Sequence, residues 1–289
     1  MTRVVKTAAR SALDATKIFR TFDDGDPDLV DIGIPEVTET IGGMFRGNMV
    51  TIGMGQNVGK SSLILSMAME SKSTIGVVEL EDGPDVWGAR LLAYHTDIPP
   101  TAIRRKQLDD AQRARIRAVI EDPNTKGPLI SYAIGGSKEA IVEATRRLIE
   151  EGCDAVVLNY LQKARGHHSE RRVEVGLTMN AFLQACAPDP DNDWPGAVPV
   201  AMSQLVRIHP QKEPWPSQMK ESGDIEAESR LIVMGWRDPG DPLQLNCKVA
   251  KSSFGGGGLR FSYRYTSAEY LERVVEDGGG VQGVGDGDF

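Results

Sequence analysis

The chain has 289 residues, 40% of them apolar and 26% charged, with a formal net charge of −8. These values suit a soluble globular protein with a sizeable core, and no apolar run approaches the ~20 residues needed to span a bilayer. No apolar signal core follows Met1, so a cytoplasmic location is expected, and the acidic balance is neutral on nucleic acid, since a ring or filament needs positive charge only where its strand runs.

Residues 1–22 have the spacing of an amphipathic helix. Val5, Ala8, Ala12, Ala15, Phe19 and Phe22 step by three and four, and Arg3, Lys6, Arg10, Lys17 and Arg20 fall mostly elsewhere. The helix either packs on its own domain or reaches a neighbouring subunit, and the acidic run Asp23 to Asp28 ends it. From Ile32 strands and helices alternate. Strands are predicted over residues 49–52, 74–80, 129–134, 155–158, 198–202, 231–236 and 243–249, and helices over 61–69, 86–94, 104–120, 137–151 and 173–187. That order predicts an α/β domain with a mainly parallel central sheet flanked by helices. Residues 188–193 read as an acidic surface loop, and residues 278–289 as a glycine-rich flexible tail. Cys153, Cys186 and Cys247 lie far apart, as buried reduced thiols would, with no Cys-x-x-Cys pair.

Gly55, Gln56, Asn57, Val58, Gly59, Lys60, Ser61 and Ser62 follow a predicted strand and open a predicted helix, the context of a phosphate-binding loop. Glycines let backbone N–H groups converge on phosphate oxygens, and the helix N-terminus adds positive potential. Lys60 then reaches the outer phosphates and the Ser61 hydroxyl ligates Mg²⁺, which predicts ATP and Mg²⁺ as cofactors. The usual motif begins with glycine five positions before Gly59; here that position is Met54, flanked by Gly53 and Gly55. The strand Val77-Val78-Glu79-Leu80 delivers Glu81 to its tip. Taken alone, Glu81 is either the group that orients the attacking water or a solvated strand-end carboxylate.

Over roughly residues 30–265 the chain resembles the DnaB family of hexameric replicative helicases, whose motor is a RecA-like P-loop NTPase. Ile32-Gly33-Ile34-Pro35 and residues 42–48 are similar to that family's lead-in to the phosphate loop. Glu79-Leu80-Glu81 with Arg90-Leu91-Leu92-Ala93 resembles its Leu-Glu-Met segment, Asn159-Tyr160-Leu161-Gln162 its Asp-Tyr-Leu-Gln, and Ser203-Gln204-Leu205-x-Arg207 its Ser-Gln-Leu-x-Arg. Lys220-Glu221-Ser222-Gly223-Asp224-Ile225-Glu226 resembles its Arg-Glu-Ser-Gly-x-Ile-Glu, and Val249-Ala250-Lys251 its Ala-Lys-x-Arg. Each match is weak alone; six in the right order are specific.

The resemblance implies roles. Glu81 is the catalytic glutamate, Gln204 senses the γ-phosphate, and Asn159 sits with Ser61 at the metal. Lys251 acts on a neighbouring subunit's ATP. Lys220, Glu221 and Gly223 follow the backbone of single-stranded DNA, with Arg207, His209 and Lys212 nearby. Arg165, His167, His168, Arg171 and Arg172 form a second basic stretch, either a DNA contact or a solvated loop. The implied division is a linker helix and acidic linker over residues 1–30, a motor domain over 31–275 and a tail over 276–289. The implied partners are single-stranded DNA and further copies of the chain, as a hexamer, with no membrane. The tail, ending in Asp286-Gly287-Asp288-Phe289, is either inert or captured by a replication partner. Only the residue 1–22 helix precedes the motor, so the family's N-terminal primase-binding domain is expected to be missing.

Two departures fall on the chemistry. Where the family has a metal-holding Asp the chain has Asn159, by natural divergence or as an engineered trap that binds ATP and hydrolyses it slowly. On sequence alone, Asn159→Asp is expected to raise turnover tenfold or more, about 1.4 kcal/mol of barrier per factor of ten; if it does not, Asp154 is the nearest other carboxylate. The trans-acting Arg two positions after Lys251 is Ser253, and such arginines are worth about 10³–10⁵ in rate; Arg260 lies beyond. Two rivals therefore stand beside the helicase: a RecA-like recombinase filament, and an ATP-gated ring or loader that grips DNA with weak hydrolysis.

Overall fold

The strands that carry the sheet are apolar on both sides, which commits them to its middle. Every residue of β3 (Val50–Met54), β4 (Ile75–Glu79) and β6 (Ala155–Asn159) is buried, as are all but the last of β7 (Val198–Gln204) and β8 (Leu231–Arg237). Runs of this kind need cover on both faces, the condition of a parallel sheet. The computed structural model describes residues 29–275 apart from 166–169, 207, 208, 210 and 221. In it these strands join β5 (Leu129–Tyr132), β9 (Gln244–Ser252), β10 (Arg260–Tyr265) and β11 (Leu271–Arg273) in a nine-stranded sheet of order β11-β10-β9-β8-β3-β7-β6-β4-β5. From β8 to β5 the pairing is parallel, and β9, β10 and β11 extend it antiparallel. A separate pair, β1 (Leu29–Val30) and β2 (Met44–Phe45), flanks the short helix α1 (Pro35–Ile41).

The two-residue period of the strands divides the core into two layers. Val50, Ile52 and Met54 face one layer with Leu63, Ile64 and Met67 of α2 (Lys60–Glu70), a helix buried almost all round. Val78, Val156, Leu158 and Ala201 face the other, with Ile141 and Leu148 of α6 (Lys138–Glu150) and Val175, Met179 and Phe182 of α7 (Arg171–Cys186). Gly33 shows how tightly the lead-in packs on α2: at φ 73°, a Cβ there would lie 1.8 Å from the Met67 carbonyl oxygen.

The helix expected over residues 104–120 is α5 (Asp110–Glu121), which starts later, after a separate short helix α4 (Pro100–Arg104) that meets the expected span only at Arg104. Asp109 takes an extended backbone and accepts from the Gln112 N–H while Gln112 reaches back, a capping box that restarts the chain as a new helix. β10, β11 and the short helix α8 (Ser222–Glu228) were not among the predicted elements. The 1–22 helix and the 278–289 tail lie outside the described residues. Among the described residues no helix is long and apolar enough to cross a membrane, and Cys153, Cys186 and Cys247 are buried and free.

What the fold does for function is bring strand ends together. Met54 pairs with Gln204, and Glu79 with Asn159, at the carboxyl edge of the parallel strands, where open α/β sheets bind ligands. The helix α3 (Pro84–Thr96) leaves from the same edge.

Candidate active site

The phosphate loop spans the gap between β3 and α2. Its turn is made at two left-handed residues, Asn57 (φ 58°) and Gly59 (φ 123°), before Lys60 opens the helix. Met54 is not part of the cradle: it is the last residue of β3, fully buried, and packs where a side chain at Gly235 would stand. The glycine that begins the usual motif is thus replaced by a core residue, and Gly55 starts the loop. Gly59 is held from the far side of the sheet. Tyr265, at the end of β10, donates its hydroxyl to the Val58 carbonyl at 3.4 Å, and a Cβ on Gly59 would sit 1.8 Å from that hydroxyl.

Lys60 Nζ donates to the Gly55 carbonyl at 3.2 Å and stands 5.2 Å from the Tyr160 ring centroid. Burial pushes its ammonium below the ordinary lysine value, Glu81 pulls it back up, and Lys220 adds to the depression. The charges of Glu81 and Lys220 are thus both felt at the phosphate-loop lysine. Ser61 Oγ lies 3.5 Å from Asp82 Oδ2, and that oxygen also takes Arg90 Nη1 at 2.5 Å. Glu81 pairs with Lys163 at 3.1 Å.

Glu79 is buried beneath this turn. It accepts from the backbone N–H groups of Glu81 (2.7 Å) and Asp82 (2.9 Å), from Trp87 Nε1 (2.8 Å) and from Asn159 Nδ2 (2.7 Å). Asp154 lies at the opposite end of β6, held by Arg46 at 2.5 Å and by the Thr74 N–H at 2.9 Å. It cannot serve a metal at Ser61, so the alternative that placed it there is dropped.

Gln204 connects this edge to the next loop through Gln162. Gln162 Oε1 accepts from the Gln204 N–H at 2.8 Å, and its Nε2 donates to Ser203 Oγ (2.9 Å) and the Lys220 carbonyl (3.1 Å). The Lys220 N–H donates to the Gln204 carbonyl at 3.0 Å. Arg172 packs over Gly223, its guanidinium 3.5 Å from Asp224. Arg171 is engaged within the chain, donating to the carbonyls of Ala164 and Gln162 at 2.6 Å each and pairing with Glu174. Arg207, Glu221, His167 and His168 lie outside the described residues.

Lys251 is not brought to its own phosphate loop. It pairs with Ile232 toward the opposite end of the sheet, and its Nζ donates to the Glu226 carbonyl at 2.5 Å. Arg260 is held by both oxygens of Glu213, at 2.9 and 3.0 Å.

A cavity of about 380 Å³ opens beside Ser62, walled by Arg90, Arg237 and Tyr265, with the Arg237 guanidinium stacked 4.0 Å over the Tyr265 ring. Sequence reading missed this wall, and also Glu79, Asp82 and Gln162 as parts of the site. Asp82 had a visible signal, a third carboxylate in Glu79-Leu80-Glu81-Asp82. The donor set fits the implied metal. Magnesium takes few protein ligands, all oxygen, and keeps several waters; a serine hydroxyl with a carboxylate beside it offers that, and among the described residues no cluster of three or more His, Cys, Asp or Glu competes.

Comparisons with known proteins bear on the family and the fold. A family model described as the DnaB-like helicase C terminal domain matches residues 30–252. The replicative DNA helicase DnaC of Bacillus subtilis (strain 168) is 24% identical over 275 residues, covering 88% of this chain and 59% of that protein. DnaB of Geobacillus stearothermophilus is 24% identical over 226 residues, covering 74% and 48%. The chain thus spans about half the length of the curated relatives it matches. Among solved structures, one described as an ATPase domain superposes with a TM-score of 0.75 at 20% identity, covering 92% of this chain and 98% of that one. A DnaB-like replicative helicase, described with its interactions with primase, gives 0.72 at 19%, covering 92% and 70%; at these identities both show the fold. With the family model covering most of its length, the chain belongs to the DnaB-like helicase C-terminal domain family.

Proposed function

We propose that the chain is the ATP-driven motor of a ring-forming replicative helicase that moves along single-stranded DNA. The observation that carries this reading is the direct hydrogen-bonded link between Gln204, at the carboxyl edge beside the phosphate loop, and Lys220, which begins the candidate strand-binding segment. A nucleotide-state change felt at Gln204 has one short path to DNA.

In this reading the loop amides and Lys60 hold the phosphates, and the base rests in the cavity between Arg90 and the Tyr265–Arg237 stack. Bound Mg²⁺ would neutralise phosphate charge, held by Ser61 with Asp82 and Asn159 at hand. Glu81 orients the attacking water and accepts its proton, with Lys163 holding the carboxylate in place. Lys220, Gly223 and Arg172 line the strand path. Lys251, at the far end of the sheet from its own site, serves the ATP of a neighbour in a hexamer. A gripping ring with slow turnover is the second reading, favoured by Ser253 and by the engagement of Arg260 with Glu213.

Equilibrium binding of a fluorescent ATP analogue with and without Mg²⁺ tests the site. Lys60→Ala should abolish binding at concentrations that saturate the parent. Equal binding by both proteins would remove the phosphate-loop assignment.

A further inference from the structure

A carboxylate stays charged in a protein interior only where donors surround it. Glu79 is 2% exposed, and four N–H groups serve its two oxygens: Glu81 N and Asp82 N on Oε1, Trp87 Nε1 and Asn159 Nδ2 on Oε2. None of the four is a charged group. Glu79 and Asn159 are also direct partners across the parallel strands β4 and β6. An Asp at 159 has no N–H to give and would set two carboxylates at hydrogen-bond distance.

We infer that Glu79 and Asn159 are one matched unit, in which β4 carries the negative charge that β6 lacks. Glu79 fixes the Asn159 nitrogen and so leaves the amide oxygen as the group offered to a cation. Glu79 touches no substrate. It is a positioning residue, and the same carboxylate also anchors the turn that presents Glu81 and Asp82. The role given to the Asn159 oxygen rests on the ATP-motor reading; the pairing itself does not. The sequence expectation is thereby reversed: Asn159→Asp is a lesion, and repair requires an exchange at both positions.

The test is a double-mutant cycle of Asn159→Asp and Glu79→Gln. It is run in a Trp87→Phe background, so that the indole N–H does not confront the amide of the new glutamine. Melting of the ligand-free protein is the first readout. Each single change should lower Tm by about 5 °C, and the double exchange, in which residue 79 donates and residue 159 accepts, should recover most of the loss. Mg²⁺-dependent ATP turnover is the second. Neither single variant should exceed the background protein, and the double should turn over at least tenfold faster than Glu79→Gln alone. Additive melting shifts would overturn the inference, as would Asn159→Asp that alone melts like the background protein and hydrolyses ATP tenfold faster. If the parent binds no nucleotide the motor reading fails, while the melting cycle still decides whether the pair is matched.

Discussion

At the end of β4 three carboxylates within four residues have different surroundings and therefore different work. Glu79 is buried under four N–H donors, Asp82 is shared between Arg90 and the Ser61 hydroxyl, and Glu81 is half-exposed against Lys163. Of the three, Glu81 has the most access to water, and its charge is felt at Lys60. Glu81→Gln should therefore leave binding of the ATP analogue within about threefold of the parent and cut turnover by about 10²–10⁴, the usual worth of a positioned base. Phosphate release measured beside analogue binding checks this; a fall of less than tenfold would move the base role to Asp82. The candidate role of Glu81 was legible because Glu-Leu-Glu stands before Arg90 in a familiar order. The role of Glu79 was not. Strand parity gives Glu79 and Glu81 the same face, and they separate only because β4 ends at Glu79 and the chain turns. The pairing of Asn159 with Glu79 was not legible either, because the partner lies 80 residues away and is set by strand register.

Among the elements, β7 and the segment after it are tied by one side chain. Gln162 bonds Ser203, Gln204 and Lys220 together, while its own carbonyl is held by Arg171. Gln162→Ala should lower the stimulation of ATP hydrolysis by single-stranded DNA far more than the rate without DNA. Lys220→Ala, as a comparison, should weaken strand binding uniformly across sequences and reduce the salt slope by roughly 0.7. Equal loss with and without DNA in Gln162→Ala would make it a structural support and no link. Helices with a strong period, such as α6 with its Ser137 cap, were legible from spacing alone. The break between α4 and α5 was not taken from the sequence, although Asp109 and Gln112 are the residues that make it. The alternation of buried Phe261 and Tyr263 with exposed Arg260 and Arg264 is visible in the sequence too. What no local pattern conveys is that Tyr265, at the end of that strand, braces a loop 207 residues earlier.

For the whole molecule, burial makes a prediction that needs no ligand. Burial, with Glu151 and Asp154 adding to it, pushes the Cys153 thiol up to about 12, and burial raises Cys186 and Cys247 as well. An unfolded thiol ionises near 8.5 while the folded ones stay protonated, so stability is full below about pH 8.5 and falls as pH rises through the folded values. At pH 8 iodoacetamide should label none of the three in the native protein and all three in denaturant; rapid native labelling would contradict the core described here. The proposed assembly gives Lys251 its use: it lies toward the opposite end of the sheet from its own phosphate loop, and in the proposed ring it would serve the nucleotide of another copy. In the proposed motor, nucleotide turnover and strand movement are coupled in such an assembly. The most direct measurement is steady-state ATP hydrolysis with Mg²⁺, with and without single-stranded DNA, alongside unwinding of a forked duplex by the same preparation. A coupled motor should show severalfold stimulation by the single strand, ATP-dependent unwinding, and loss of both in Lys60→Ala. Hydrolysis indifferent to DNA, or strand exchange without unwinding, would contradict it.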